Sequence, residues 1–275
     1  MQRAGTLDRL ERHTDSLPDP GPGEARVIPE AIGLNFADIF ACLGLYSATP
    51  AGAFVPGLEC AGVVEALGPA VPPPDPSGEP THPIRPGDRV FGLTRFGAYA
   101  TAVNLGVRYL RPIPPGWSFA EGAAFPVQAL TAWHGLTELG ALEPGDSVLV
   151  HSAAGGVGLN ALAILAAVGA RVVATVGRPA KRDFLVERCG LSPNQVIVRD
   201  RHTFGPQLDR ALAALRLDLI WLWDHADRLA RAYDRLAHLV QRPPFVGRCF
   251  GFDDTPAALR YLQSGESIGK VVLEV

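Results

Sequence analysis

The sequence predicts an α/β protein in two parts, a small β-rich region followed by a region built on a parallel sheet. Residues 24–110 contain short apolar runs separated by turn residues, which is typical of strands in a small β-rich unit. From Trp117 onward, strand-like and helix-like runs alternate at the spacing of βαβ units. The turn Ala153-x-Gly155-x-x-Gly158 joins the first of these strands to a helix.

The elements follow from local patterns along the chain. The β-rich region is predicted to hold four strands, in EARVIPEAIGL (24–34), CAGVVEAL (60–67), GDRVFGL (87–93) and GAYATAV (97–103). Residues 68–88 are rich in proline, which cannot donate ladder hydrogen bonds, and are predicted to be an extended surface loop.

The later elements are predicted in the same way. Ser118 and Glu121 form a capping box before a helical stretch, and Thr255 is predicted to cap a helix that stops at Gly265. Strands are predicted at 148–151, 171–176, 195–198 and 217–221, with helices between them and an apolar helical stripe at Leu229, Tyr233, Leu236 and Val240.

Composition excludes several classes of protein. The 275 residues are 47% hydrophobic with a net charge of -3 and no block of basic residues, which argues against nucleic acid as a partner. The longest apolar run, 161–170, is too short to span a bilayer. The four cysteines form no C-x-x-C pair and the N-terminus lacks the apolar core of a signal peptide, so reduced thiols and a cytoplasmic location are predicted.

The glycine turn predicts a nucleotide site. A glycine turn that opens a helix presents backbone N–H groups at the positive end of the helix dipole, which suits a pyrophosphate. Gly155 would admit the phosphates and Gly158 would let the helix lie close to the strand, while a tight structural turn is the alternative. The predicted contacts are Ala154, Gly155, Gly156, Val157 and Gly158.

The end of the second strand predicts the cofactor. NAD sites carry an acidic residue there, about 20 residues beyond the turn, whereas this chain has Arg178 and Lys181 and no acid. Both cations can bind a 2′-phosphate, so NADPH is predicted. The alternative is that the two residues are a solvated helix start.

Several motifs together resemble a known family. GDSVLVHSAAGGVG (145–158), GLNFADIFACLGLY (33–46), VPGLECAGVVEALG (55–68) and the C-terminal segment are similar to the zinc-independent, zeta-crystallin-like quinone oxidoreductases of the medium-chain dehydrogenase/reductases. Polyketide enoyl reductases share these features. The resemblance implies a GroES-like domain at 1–115, a Rossmann NADPH-binding domain at 116–242 and a return to the GroES-like domain at 243–275.

The resemblance also implies site residues. Asn35 and Tyr46 would lie near the nicotinamide, Thr131 would contact the cofactor, and Lys181 could relay a proton with Asp200. An Asn amide or a Tyr hydroxyl can stabilise or protonate the oxygen that gains charge in hydride addition. Asn35 with Asp38 could instead cap a helix, and Tyr46 could be a loop aromatic.

Metal chemistry is not expected. Zinc-using relatives carry ligands where this chain has Asn35, Phe36 and Leu58, none of which is a zinc ligand type. His134 and His151 stand singly and are predicted to be packed or exposed, with a cofactor contact open for His151.

A departure from the family lies after residue 220. Only four strands precede the terminal helices, so the Rossmann domain is predicted to be truncated after its fourth strand, which puts the family's usual homodimer in doubt. The predicted function is an NADPH-dependent, zinc-free reduction of a quinone or an activated C=C bond in a small molecule or acyl thioester. The alternatives are a non-catalytic NADPH-binding protein and a thioester enoyl reductase of polyketide or fatty-acyl metabolism.

Overall fold

The computed structural model describes residues 1–69, 83–200, 202–213, 236, 240 and 242–275. Contacts divide the chain into two compact units. The β unit comprises Met1–Val127 and Phe245–Val275, and the α/β unit comprises Gln128–Pro244. The boundaries predicted from the sequence lie after residues 115 and 242.

The described part of the chain forms the following elements. Its strands are β1 (Glu24–Gly33), β2 (Glu59–Leu67), β3 (Arg89–Leu93), β4 (Val103–Gly106), β5 (Leu110–Pro112), β6 (Ser147–Val150), β7 (Arg171–Val176), β8 (Val196–Val198), β9 (Val246–Gly251) and β10 (Lys270–Glu274). Its α-helices are α1 (Phe36–Leu43), α2 (Phe119–Ala123), α3 (Pro126–Trp133), α4 (Gly156–Val168), α5 (Pro179–Cys189), α6 (Phe204–Ala213) and α7 (Thr255–Gln263).

One sheet of seven strands organises the β unit. Its order is β5-β3-β2-β1-β10-β9, and β4 also pairs with β1. The pairs are antiparallel except β9 with β10, which are parallel. Ala25, Val27 and Ala31, predicted to share one face of β1, are all buried. The C-terminal strand β10 thus completes a sheet that begins at the N-terminus.

Three of the four strands predicted for this region are confirmed. The prediction for 97–103 is wrong except at Val103, where β4 begins. Gly97 has a φ of 101°, and the N–H groups of Gly97 and Tyr99 bond to carbonyls of Val55 and Pro56 rather than to a strand. This left-handed turn holds Tyr99 in the core, where it is 8% exposed.

Helix capping follows the sequence closely. Ser118 and Glu121 form the predicted capping box, with the Glu121 N–H donating to Ser118 Oγ at 3.2 Å and the Ser118 N–H donating to Glu121 Oε2 at 2.7 Å. The predicted cap of α7 is off by one residue. Thr255 is the first helical residue, with Asp254 at the N-cap position, and the Thr255 hydroxyl donates to Phe252 O.

The α/β unit carries a parallel sheet of order β6-β7-β8. Helices α4, α5 and α6 follow these strands in turn, so the predicted βαβ alternation is confirmed. The predicted fourth strand at 217–221 lies outside the described residues, as does most of the proline-rich loop at 68–88. Leu236 and Val240 of the predicted apolar stripe are buried. Among the described residues, no helix is long and apolar enough to cross a membrane.

Candidate functional site

The glycine turn connects β6 to α4. Gly155 is the N-cap of α4 in an extended conformation, and no side-chain hydrogen bond caps the helix. The Gly155 N–H donates to Ser152 O at 2.8 Å, and Ser152 itself has a left-handed φ of 54°. The turn therefore delivers an uncapped N-terminus of a 13-residue helix at the carboxyl end of β6.

Packing requires glycine at only one position of the fingerprint. A Cβ on Gly158 would lie 2.6 Å from Ala153 Cα, so the helix rests directly on the turn backbone. A Cβ on Gly155 would meet Ser152 O at 3.2 Å, which small adjustments could relieve. Ala153 itself is fully buried, which explains why a small residue suffices there. The packing of the protein therefore does not by itself require glycine at 155, and its contact with a cofactor stays a prediction.

The first turn of α4 is the feature that fits a pyrophosphate. Gly156, Val157 and Gly158 are its first three residues, and backbone N–H groups at these positions have no partner within the helix. Val157 is 40% exposed, so this end of the helix is open to solvent. The helix dipole adds a partial positive charge at the same point. The residues present therefore fit the phosphates of a dinucleotide.

The two predicted cations lie at the carboxyl end of the adjacent strand β7. Arg178 is the exposed N-cap of α5, and Lys181 is partly buried in the first turn of that helix. The Lys181 N–H donates to Arg178 O at 3.1 Å. Carboxyl ends of neighbouring parallel strands meet at one edge of a sheet, so these cations and the glycine turn share that edge.

A third cation at this edge was not predicted from the sequence. Arg199 follows β8, and its N–H donates to Val176 O at 2.8 Å. Its Nη2 lies 3.5 Å from Ser152 Oγ and 3.6 Å from where a Cβ on Gly177 would stand. Arg199 therefore spans the ends of all three strands. Its position directly after the third strand was the signal that could have identified it.

Asp200 has a local structural use. Its Oδ1 accepts hydrogen bonds from the N–H groups of His202 at 3.0 Å and Thr203 at 3.1 Å. These bonds hold the pKa of Asp200 below its usual value, so the carboxylate is ionised at neutral pH. Asp200 thus acts as a cap before α6, and its role as a proton relay stays a prediction.

Two further predicted contacts lie near the turn within the α/β unit. The Gln128 side chain of α3 packs against Gly156, and Thr131 lies about one turn further along the same helix. His151 is exposed, and its Nδ1 lies 3.1 Å from Thr175 Oγ1. Contact of Thr131 or His151 with a cofactor stays a prediction.

In the β unit, Asn35 belongs to a buried polar cluster. It is the N-cap of α1, which begins at Phe36, and the Asn35 N–H donates to Asp38 Oδ2 at 2.8 Å. Asn35 and Asp38 form a capping box at the start of α1. The Asn35 Nδ2 also donates to Glu59 Oε1 at 2.8 Å, and its Oδ1 accepts from Lys270 Nζ at 2.7 Å. The capping alternative is therefore confirmed, and the Asn35 side chain has further buried polar partners.

Glu59 and Lys270 form a fully buried ion pair. Lys270 Nζ lies 2.5 Å from Glu59 Oε1, and the Lys270 and Glu59 side chains are 1% and 0% exposed, respectively. Glu59 Oε2 accepts a further bond from the Val127 N–H at 2.7 Å. We define the polar cluster as Asn35, Asp38, Glu59, Tyr99 and Lys270. Glu59 and Lys270 were not predicted from the sequence.

Asp38 is the least satisfied member of the polar cluster. Its Oδ2 accepts from the Asn35 N–H and from the Tyr99 hydroxyl at 3.1 Å, whereas its buried Oδ1 has no hydrogen-bond partner. Burial raises the pKa of Asp38 to about 7, against the opposing effects of the Asn35 bond and the Lys270 charge. Burial likewise holds the pKa of Tyr99 well above its usual value.

Tyr46 lies apart from the polar cluster along α1. It follows the left-handed Gly44 that ends the helix, and it packs partly buried against the core of the β unit. Asn35 and Tyr46 flank the eight-residue helix, so its length of about 12 Å separates them. Asn35 and Tyr46 thus lie at opposite ends of α1, and their position near the nicotinamide stays a prediction.

The three positions at which zinc ligands were considered carry none of the usual ligand types. They are Asn35, Phe36 and Leu58. Among the described residues, no group of three or more His, Cys, Asp or Glu side chains could hold a metal ion.

Two family models match the chain. Residues 133–273, more than half of it, match the family described as zinc-binding dehydrogenase, and residues 21–135 match the alcohol dehydrogenase GroES-like domain. The chain therefore belongs to the zinc-binding dehydrogenase family. The predicted fold class, a GroES-like domain with a Rossmann-type domain, is confirmed.

A polyketide synthase is among the relatives with a similar sequence. The chain is 35% identical over 220 residues to a mycocerosic acid synthase-like polyketide synthase of Mycobacterium tuberculosis, covering 80% of this chain and 10% of that protein. The chain thus spans about a tenth of the length of that curated relative.

Solved structures align over almost the whole chain. The CurK enoyl reductase has a TM-score of 0.79 at 25% identity, covering 99% of this chain and 97% of that one. The quinone oxidoreductase from Thermus thermophilus, also described in complex with NADPH, has a TM-score of 0.70 at 27% identity, with 100% of both chains covered. Because the alignments extend over nearly all of both chains, the truncation stays a prediction.

Proposed function

We propose that this protein uses NADPH to reduce an activated C=C bond, and that its substrate class is an enoyl chain held as a thioester. The observation that carries the proposal is the edge of the parallel sheet, where the glycine turn stands beside Arg178, Lys181 and Arg199. An uncapped helix N-terminus binds a pyrophosphate, and adjacent cations select a phosphorylated ribose.

The cofactor proposal has two supports. No acidic residue stands at the end of β7, where an NAD site would carry one. The Thermus thermophilus neighbour, 27% identical, is described with NADPH, in agreement with the cofactor that the cations predict. Ala154, Gly155, Gly156, Val157 and Gly158 would surround the pyrophosphate, and the cations would hold the 2′-phosphate.

The reaction needs one hydride and one proton. NADPH, when bound, supplies the hydride, which adds to the carbon β to the thioester carbonyl. The π electrons then shift toward the carbonyl, and the α carbon takes a proton. Tyr46, Lys181 and water are the candidate proton donors, and Asn35 is a candidate to stabilise the negative charge on oxygen. Tyr46 and Lys181 carry ionisable hydrogens in the β unit and the α/β unit, respectively.

The substrate class rests on the relatives. A polyketide synthase and an enoyl reductase are among the proteins that this chain is similar to. A quinone is the second candidate, favoured by the likeness to the Thermus thermophilus quinone oxidoreductase. A non-catalytic NADPH-binding protein is less favoured, because the family and both structural neighbours are described as enzymes. A homodimer and a cytoplasmic location stay predictions.

Two measurements test the proposal. NADPH and NADH binding are followed by tryptophan fluorescence, and NADPH absorbance is then followed with a 2-butenoyl thioester and with a benzoquinone. We expect NADPH to bind about 100-fold more tightly than NADH, and the thioester to be turned over. If the protein turns over only the quinone, the substrate class is a quinone and not an enoyl thioester. Tight NADPH binding without turnover of either acceptor would contradict the proposal that the protein is an enzyme.

The proton donors are tested by substitution. The two variants are Tyr46→Phe and Lys181→Met. We expect the one that removes the proton donor to lower kcat by about 100-fold, since general acids contribute on this order. Tyr109→Phe is the matched control, because Tyr109 lies in the turn between β4 and β5, where no role is proposed. If neither substitution lowers kcat, water is the donor.

A further inference from the structure

The Asn35 amide has only one favourable orientation. Its Oδ1 faces the Lys270 ammonium and its Nδ2 faces the Glu59 carboxylate. A rotation of the amide by half a turn would bring Nδ2 against the ammonium and Oδ1 against the carboxylate. Both contacts would then be repulsive in a place where water does not screen them. The ion pair therefore selects the orientation of the amide.

The same ion pair joins four segments of the β unit. Glu59 begins β2, Lys270 begins β10, and Asn35 links β1 to α1. The fourth segment is the chain at Val127, whose N–H donates to Glu59 Oε2. Hydrogen bonds therefore connect the start of α1 to the C-terminal strand β10.

The backbone packs closely around the Glu59 carboxylate. A Cβ on Gly33 would lie 2.2 Å from Ala123 O and 2.6 Å from Glu59 Oε1. Glycine is therefore required at the end of β1 for Glu59 and α2 to approach this closely. Bonds from Asn35, Lys270 and the Val127 N–H hold the Glu59 carboxylate.

We propose that Glu59 and Lys270 are positioning residues, which hold the Asn35 amide in the single orientation that hydride transfer to the substrate requires. The kinetic part of this inference rests on the proposed function. The second hydrogen of Nδ2 makes a weaker bond, at 3.4 Å, to Gly33 O. This is the bond that a substrate oxygen would replace.

Three variants separate positioning from stability. Glu59→Gln and Lys270→Met each leave one buried charge without its partner, so we expect each to lower the melting temperature by about 10 °C. The double variant Glu59→Gln/Lys270→Met removes both charges of the pair and should recover at least half of that loss. We expect its kcat to stay about 10-fold below that of the unsubstituted protein, with the Kd for NADPH changed by less than about twofold. Recovery of kcat together with the melting temperature would overturn the proposal.

A readout independent of turnover accompanies the kinetics. The side-chain amide hydrogens of Asn35, assigned with Asn35→Asp, should exchange slowly with solvent in the unsubstituted protein and about 10-fold faster in the double variant. Unchanged exchange would also overturn the proposal. If the unsubstituted protein reduces no acceptor, the proposed function fails and the amide measurement alone decides the orientation. Asp253→Asn, which removes an exposed pair with Arg12, is the matched control and should change neither readout.

Discussion

The glycine turn and the polar cluster are opposite ways to place polar groups. At the turn, the backbone N–H groups of Gly156 and Val157 have no partner within α4, and Val157 is exposed. In the polar cluster, Glu59 and Lys270 are almost completely buried and bind each other. The first arrangement leaves donors for a ligand, whereas the second uses its donors and acceptors within the protein.

The comparison distinguishes binding from positioning. Water can satisfy the helix end when no ligand is present, so the site costs little stability. The polar cluster has no such substitute, because its side chains are buried and bond mainly to one another. We therefore expect changes at the turn to act mainly on cofactor affinity. Changes in the polar cluster should act on stability, on its pH dependence and, through Asn35, on kcat.

The largest effect on cofactor affinity is expected from Gly158→Ala. The added methyl would stand 2.6 Å from the Ala153 backbone and force α4 away from the turn. We expect NADPH binding to weaken by about 100-fold and the free energy of unfolding to fall by about 2 kcal/mol. Fluorescence titration and urea unfolding measure the two quantities.

The matched control is Gly205→Ala, another glycine in a helix but with open space around it. It should leave NADPH affinity unchanged and should not lower the free energy of unfolding. If Gly158→Ala binds NADPH as tightly as the unsubstituted protein does, the glycine turn is not the phosphate site.

The second effect concerns Asp38 and pH. Its pKa of about 7 in the folded protein lies above its ordinary value of 3.8, so the folded state binds the proton more tightly than the unfolded state does. The stabilisation from the protonated carboxyl is complete below about pH 4 and is lost as the pH rises to about 7. Tyr99, Glu59, Lys270 and Cys42 are the titratable groups around it.

Asp38→Asn removes this titration. Between about pH 4 and pH 7, the unsubstituted protein should lose stability and the variant should not. We expect the loss in free energy of unfolding, relative to the variant, to be on the order of 4 kcal/mol. Denaturant unfolding at several pH values measures it, with the exposed Asp253→Asn as the control. Parallel curves for Asp38→Asn and the unsubstituted protein would contradict the prediction.

Sequence patterns predicted the elements whose signals are local. The strand at 171–176 and the capping box at Ser118 depend on neighbouring residues, and both are confirmed. The polar cluster could not be predicted, because Lys270 lies 211 residues from Glu59 along the chain and looks like an ordinary surface lysine. The segment 97–103 was mistaken for a strand because Gly97 and a tertiary bond of Tyr99 override its apolar pattern.

The smallest effect is expected at Arg199, and it tests whether the open edge of the sheet selects the cofactor. Its guanidinium reaches Ser152, and we expect Arg199→Ala to weaken NADPH binding by about 10-fold through loss of a charge-assisted phosphate contact. NADH lacks the 2′-phosphate, so its affinity should not change. Arg188→Ala is the matched control, since that exposed arginine lies in the last turn of α5, far from its N-terminus. An equal loss for NADPH and NADH would mean that Arg199 supports the turn through Ser152 and does not read the phosphate.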